Sequence, residues 1–137
     1  EKFIRELFEN RLERHNIKLI VSKDFQEKII SGYPSTFYPV FVNLIDNAIF
    51  WLRDQSTSKA VCLDANTGAF YIKNTGPEII ARDKDAIFEQ GFTRKPGGRG
   101  LGLFISKNVL RKEGYDLTIK DGDEDYSVIF IISQQEQ

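Results

Sequence analysis

Asn43-Leu44-Ile45-Asp46-Asn47-Ala48 lies in a segment whose apolar residues Val40, Phe41, Leu44, Ile45, Ala48 and Leu52 recur at helical spacing. The spacing predicts a helix from about Thr36 to Arg53, with Pro39 in the first turn, where a missing N–H leaves no intrahelical bond unmade. Asn43 and Asn47 stand one turn apart beside the apolar stripe. A carboxamide set against a core must be hydrogen-bonded or it costs about 1 to 3 kcal/mol. Amide oxygens are hard donors suited to Mg²⁺, which keeps several waters and is shared between one or two protein groups and substrate phosphates. For this helix alone, the simpler reading is that both amides cap neighbouring loops or face water.

A second stretch, Gly97-Gly98-Arg99-Gly100-Leu101-Gly102-Leu103, shifts the balance. Gly98, Gly100 and Gly102 alternate and the last two enter a predicted helix, so bare backbone amides and the positive end of the helix dipole are available to a phosphate chain. Arg94, Lys95 and Arg99 add charge to the same loop. No Gly-Lys-Ser/Thr follows, which excludes a Walker loop, and neither the spacing nor the strand context is that of a dinucleotide fingerprint. Alone, a glycine-rich surface loop is an ordinary turn. Beside the paired asparagines, it reads as the phosphate end of a nucleotide pocket whose metal end is the helix.

Composition sets the limits. The chain has 137 residues, 41% hydrophobic and 12% aromatic, enough for one domain with a real core. Nineteen basic and twenty acidic residues give a net charge of -1, which argues against broad attraction to nucleic acid or an anionic membrane. The single Cys62 excludes an internal disulfide framework, and no apolar run approaches the roughly 20 residues that span a bilayer. A cytoplasmic location is the expectation. The chain contains no methionine and opens directly into a helical pattern, so it is expected to be part of a longer protein.

Outward from these stretches, Phe3, Ile4, Leu7, Phe8 and Leu12 predict an amphipathic helix to about Arg14, and Ile17 to Val21 a strand. Gly32 and Pro34 punctuate the chain, with a short strand expected around Ile29 and Ile30. Val61–Asp64 and Ala69–Asn74 flank Asn66-Thr67-Gly68, a hairpin signal. A short helical stretch is expected around Ala86 to Gln90, then a glycine-rich, cationic segment from Gly91 to Gly100 with the composition of a mobile loop. Leu101 to Leu110 form an apolar helical face that Gly114 stops. Tyr115–Lys120 and Tyr126–Ile132 read as strands meeting at Asp121-Gly122, and residues 133–137 as a tail. This order predicts an α+β, two-layer sandwich with helices over one face of a mixed, mostly antiparallel sheet.

Four segments occur in order: Asn43 to Ala48; Asn74-Thr75-Gly76-Pro77-Glu78-Ile79; Ile87-Phe88-Glu89-Gln90-Gly91-Phe92-Thr93-Arg94-Lys95; and Gly98 to Leu103. In them the chain resembles, over nearly its whole length, the catalytic ATP-binding domain of sensor histidine kinases. That is the Bergerat-fold superfamily, which also holds type II topoisomerase ATPases, the heat-shock chaperone ATPase domain and MutL. The resemblance implies that Asn47 coordinates Mg²⁺ bridging the phosphates of ATP, assisted by Asn43, and that Trp51 stacks on adenine. It implies that Asn74, Gly76 and Ile79 hold the base, supported by a hydroxyl on the last strand for which Ser127 is the candidate. Phe88 and Phe92 would anchor a lid. Thr93 and Lys95 would contact the nucleotide, and Gly98, Arg99, Gly100, Leu101, Gly102 and Leu103 would wrap the triphosphate. Arg94 and Lys95 would join the two asparagines in neutralising charge during transfer.

Two departures from the family pattern matter. Where the family usually has an aspartate that accepts from the adenine amino group, this chain has Asn74. An amide can accept that bond and donate to the adjacent ring nitrogen, and a rotated amide also satisfies guanine, so weaker discrimination between ATP and GTP is expected. Phe50 stands where many relatives carry a lysine near the phosphates. Asn43 occupies a position where the superfamily's ATPases carry a water-activating glutamate; a neutral amide takes no proton, which favours transfer to a protein histidine over hydrolysis.

The implied function is that of a histidine kinase catalytic domain. Residues 1–137 would form one domain, with 1–14 continuing the last helix of a dimerisation domain outside the sequence. The implied partners are that phosphoacceptor domain and a response regulator receiver domain, with no nucleic acid and no direct membrane contact. The rival is a non-catalytic ATP-binding switch module or weak ATPase, and a phosphoacceptor box upstream of Glu1 would decide between them. His15 lacks the acidic neighbour and following proline of such a box and reads as structural. Asp46 reads as solvated or as an orienter of metal-bound water, Asp121–Asp125 as a hairpin tip, and Cys62 as a small buried apolar side chain.

Overall fold

The computed structural model describes residues 2–79, 81–92 and 102–135. Among them run four α-helices: α1 (Lys2–Arg14), α2 (Lys23–Ser31), α3 (Phe37–Leu52) and α4 (Gly102–Lys112). Five strands accompany them: β1 (Lys18–Val21), β2 (Ala60–Ala65), β3 (Ala69–Asn74), β4 (Tyr115–Asp121) and β5 (Val128–Gln134). The strands form one sheet in the order β1-β2-β3-β5-β4, with β1 parallel to β2 and the other pairs antiparallel. The helices cover one face, giving the expected two-layer α+β arrangement.

On α1, Ile4, Phe8 and Leu12 fall on one face at successive turns and are all buried. Two residues past the end of this helix, Asn16 has a φ of 55, in the left-handed region that asparagine tolerates. Along α3, Phe37, Val40, Phe41, Leu44, Ile45, Ala48, Ile49 and Leu52 are buried, so most of this helix faces protein. The rings of Phe25, Phe41 and Phe70 meet edge to face, with centroids 5.4 to 5.6 Å apart, and tie α2, α3 and β3 together.

Several expectations are corrected. The segment holding Ile29 and Ile30 is helix α2, not a strand. Ser22 caps it by accepting from the Phe25 N–H at 3.0 Å, and helical spacing packs Phe25 and Ile29 inward while Ile30 is 84% exposed. The stretch after Ala86 is a single 3₁₀ turn, Ala86–Phe88. Ser133 and Gln134 belong to β5 rather than a tail: Ser133 pairs with Ala69 on one side and Asp116 on the other. Gly114, with φ of 84, closes α4 as expected.

Candidate functional site

Asn43, Asn47 and Trp51 are each one turn apart on α3, so they line one edge of the helix over roughly 12 Å. Asn43 is exposed and Asn47 half-buried. The Asn43 amide Nδ2 donates to the Ser106 hydroxyl on α4 at 3.1 Å. Asp46 faces away from this line and pairs with Arg11 of α1 at 2.7 Å, which accounts for it without a ligand. Phe50 meets Trp51 edge to face, with centroids 5.1 Å apart, and carries the Arg53 guanidinium over its ring at 4.6 Å.

The C-terminal end of α3 reaches a corner built by three segments. Asn74 ends the central strand β3, paired with Val61 of β2 and Val128 of β5. It is only 4% exposed, and its Oδ1 accepts from the Gly76 N–H at 2.8 Å. A Cβ on Gly76 would lie 2.8 Å from that oxygen, and 3.6 and 3.7 Å from Trp51 and Leu52. Glycine is the residue that fits so close an approach. Ser127 precedes β5 rather than lying on it, and its hydroxyl donates to the Gly76 carbonyl and to Asn74 O at 3.4 Å. Asp123 positions it, its carboxylate accepting from the Asp125 and Tyr126 N–H groups in the β4–β5 connection. Thr75, between the two site residues, receives the Ala60 N–H on Oγ1 at 2.9 Å, and Gln55 donates to the Thr75 carbonyl at 3.0 Å.

Phe88 meets Phe130 edge to face and lies under the Lys107 ammonium, 4.6 Å from its ring centroid. Lys107 also donates to Leu117 O at 2.8 Å and pairs with Asp116 at 3.0 Å, so this cation staples α4 to β4. Ile79, Phe92 and Leu103 are half-buried against the core, and Gly102 opens α4. Thr93, Arg94, Lys95, Gly98, Arg99, Gly100 and Leu101 lie outside the described residues. The structure therefore brings Trp51, Asn74, Gly76 and Ser127 together and sets Asn43 and Asn47 in line with them. Sequence reading missed Ser106, Gln55 and the anchoring role of Thr75. A serine on the buried face of an apolar helix was the signal for the first.

Other flagged groups lie elsewhere. Cys62 is buried on the sheet face away from the helices; burial pushes its thiol up, opposed by a hydrogen bond with Tyr126. Burial and that bond push the Tyr126 phenol up to about 12. His15 offers its backbone carbonyl to Lys59 at 3.0 Å. An open groove of about 700 Å³ between α1 and β1, lined by Arg5, Glu9, Glu13 and Leu19 among others, holds none of the expected site residues.

The chemistry of the donors fits a nucleotide with a shared cation. The Asn74 carboxamide is buried beside Gly76, in a corner that Trp51 and Leu52 also border. Among the described residues no group of three or more His, Cys, Asp or Glu side chains gathers to hold a metal. A cation here would rest on the carboxamide oxygens of α3 and on ligand phosphates, the shared coordination Mg²⁺ favours.

A family model described as histidine kinase-, DNA gyrase B- and HSP90-like ATPase matches residues 32–136. The chain belongs to this ATPase family. Within it, the similar proteins are sensor kinases, and the domain is of the histidine kinase catalytic, ATP-binding type. The sensor protein ChvG of Rhizobium meliloti is 34% identical over 94 residues, which is 63% of this chain and 16% of that protein. The swarming motility regulation sensor protein RssA of Serratia marcescens is 30% identical over 117 residues, 81% of this chain and 25% of RssA. The chain thus spans a quarter or less of these relatives. The catalytic domain of histidine kinase ThkA superposes with a TM-score of 0.72 at 25% identity, covering 97% of this chain and 88% of that one. ThkA has also been solved in complex with a response regulator protein, a structure that matches with a TM-score of 0.67 at 21% identity over 99% of this chain and 39% of that one. The mixed five-stranded sheet with its helices matches the Bergerat fold of those catalytic domains.

Proposed function

We propose that this domain binds Mg·ATP and passes the γ-phosphoryl group to a histidine on a dimerisation domain outside the sequence. The observation that carries the reading is the line of Asn43, Asn47 and Trp51 along α3, ending against the corner of Asn74, Gly76 and Ser127. The corner takes adenine: Trp51 offers a ring, the Asn74 amide a donor and an acceptor, and Ile79 an apolar wall. Asn47 would hold the cation with Asn43 assisting, one and two turns along the helix from Trp51. Bound Mg²⁺ supplies charge neutralisation to the phosphates.

In the step itself the acceptor nitrogen bonds to the γ-phosphorus as the bond to the β,γ-bridging oxygen breaks, and ADP leaves with that electron pair. An imidazole nitrogen is already nucleophilic, so the domain supplies positioning and electrostatics rather than a base. Asn43 suits that role, because a neutral carboxamide does not take a proton from water. Arg94, Lys95, Thr93 and Gly98 to Leu103 are assigned to the phosphates by the family resemblance. The kinship to sensor kinases supports α1 as the continuation of a dimerisation-domain helix, a cytoplasmic location and a response regulator receiver domain as the downstream partner. No helix among the described residues is long and apolar enough to cross a membrane.

The test is to incubate the full-length protein with γ-labelled ATP. The expected product carries acid-labile, base-stable label on protein. Release of inorganic phosphate with no labelled protein would overturn the transferase reading in favour of a weak ATPase.

A further inference from the structure

Ser106 is 1% exposed, on the same face of α4 as the fully buried Leu110. An apolar residue is the default there, since a buried hydroxyl must find a partner. Ser106 finds one sixty-three positions away, accepting from Asn43 Nδ2 at 3.1 Å. Asn43 itself is exposed, so nothing about its burial holds its carboxamide in one orientation. Among the described residues no hydrogen bond reaches its Oδ1.

We propose that Ser106 is a positioning residue that commits the donor end of the Asn43 carboxamide to α4 and thereby presents Oδ1, the hard-oxygen end, to the cation and phosphates. The inference rests on the reading of α3 as the phosphate helix. Without the Ser106 hydroxyl, Asn43 samples rotamers and both amide orientations, and each binding event must order it. The bond also joins two helices, so the orientation of a ligand-facing group on α3 depends on α4, the helix that the glycine-rich stretch enters in sequence. Groups that orient ligand-holding side chains commonly change metal affinity about 10- to 100-fold when removed.

Calorimetry and side-chain amide NMR on this chain test the idea. Titration of wild type, S106A, N43A and the double variant with Mg·AMP-PNP is compared with titration by magnesium-free ADP. In S106A, Mg·AMP-PNP affinity is expected to fall about tenfold, while magnesium-free ADP changes by less than about twofold. In the N43A background, adding S106A is expected to cost nothing further, because Ser106 acts through Asn43. The Asn43 side-chain amide resonances should move toward solvent-exposed values in S106A. Should S106A melt much earlier than wild type, the near-isosteric S106C makes the same comparison. Equal losses in both backgrounds, or unchanged Mg·AMP-PNP affinity with unshifted amide resonances, would overturn the proposal. Failure of wild type to take up Mg·AMP-PNP would instead sink the functional reading itself, whatever the resonances show.

Discussion

The two ends of the site are built by different means. At the proposed base end, the polar contacts run largely to backbone: Asn74 Oδ1 holds the Gly76 N–H, Ser127 holds two carbonyls, and Thr75 is tied to Ala60. At the proposed phosphate end, the described groups are side chains on helices, Asn43 and Asn47 on α3 with Ser106 behind them on α4. A site made by backbone bonds cannot be altered without disturbing the fold, whereas projecting carboxamides can be removed and leave their helix intact. Substitutions should therefore separate the two ends: loss of binding with stability kept at one, loss of both at the other.

The sharpest break expected is N47A. It should weaken Mg·ATP binding about 100-fold or more, with a melting temperature close to wild type, by calorimetry and thermal denaturation. A large drop in stability would erase the contrast. G76A should act the other way, since its Cβ meets the Asn74 oxygen at 2.8 Å. About 1 to 3 kcal/mol of stability should go with it, measured by urea denaturation, and adenosine binding should be lost whether or not magnesium is present. A middle case is N74D, which keeps an acceptor for the Gly76 N–H but removes the amide donor. Wild type should bind GTP within about tenfold of ATP, and N74D should widen the gap, because a carboxylate offers guanine no donor. A wild type that binds GTP hundreds-fold worse than ATP would remove the argument for the amide.

The smallest effect should arise far from both ends. Asp64 on β2 loses some solvation by burial, yet the Ser22 hydroxyl, the Ala65 N–H and Lys73 together hold its carboxyl below its ordinary value. A group whose folded pKa is lowered adds stability above its unfolded pKa, and that stability disappears as pH falls through the folded value. Melting temperature against pH should therefore fall more steeply at acid pH in wild type than in D64N. The difference should be worth less than about 1 kcal/mol for a pair so near the surface. Nucleotide affinity at neutral pH should be the same in both.

Much of this was legible in residue order. The apolar stripe of α3 and the Asn66-Thr67-Gly68 hairpin are local patterns, and the structure has them where expected. The Ile29–Ile30 pair was misleading because adjacent β-branched residues favour a strand in isolation, while the Ser22 cap and the packing of Phe25 favoured a helix. The extent of β5 was hidden because Ser133 and Gln134 are polar, and only their pairing with flanking strands holds them in the sheet.

By itself the sequence determined most of the elements, the family and the two carboxamides one turn apart, because periodicity and motif spacing are properties of neighbours along a chain. Only the tertiary structure decided that Ser127 closes on Gly76, that Asp46 belongs to Arg11, and that Ser106 holds Asn43. Those contacts join residues tens of positions apart, and a hydrogen bond depends on distance and direction in space, which the order of residues does not record.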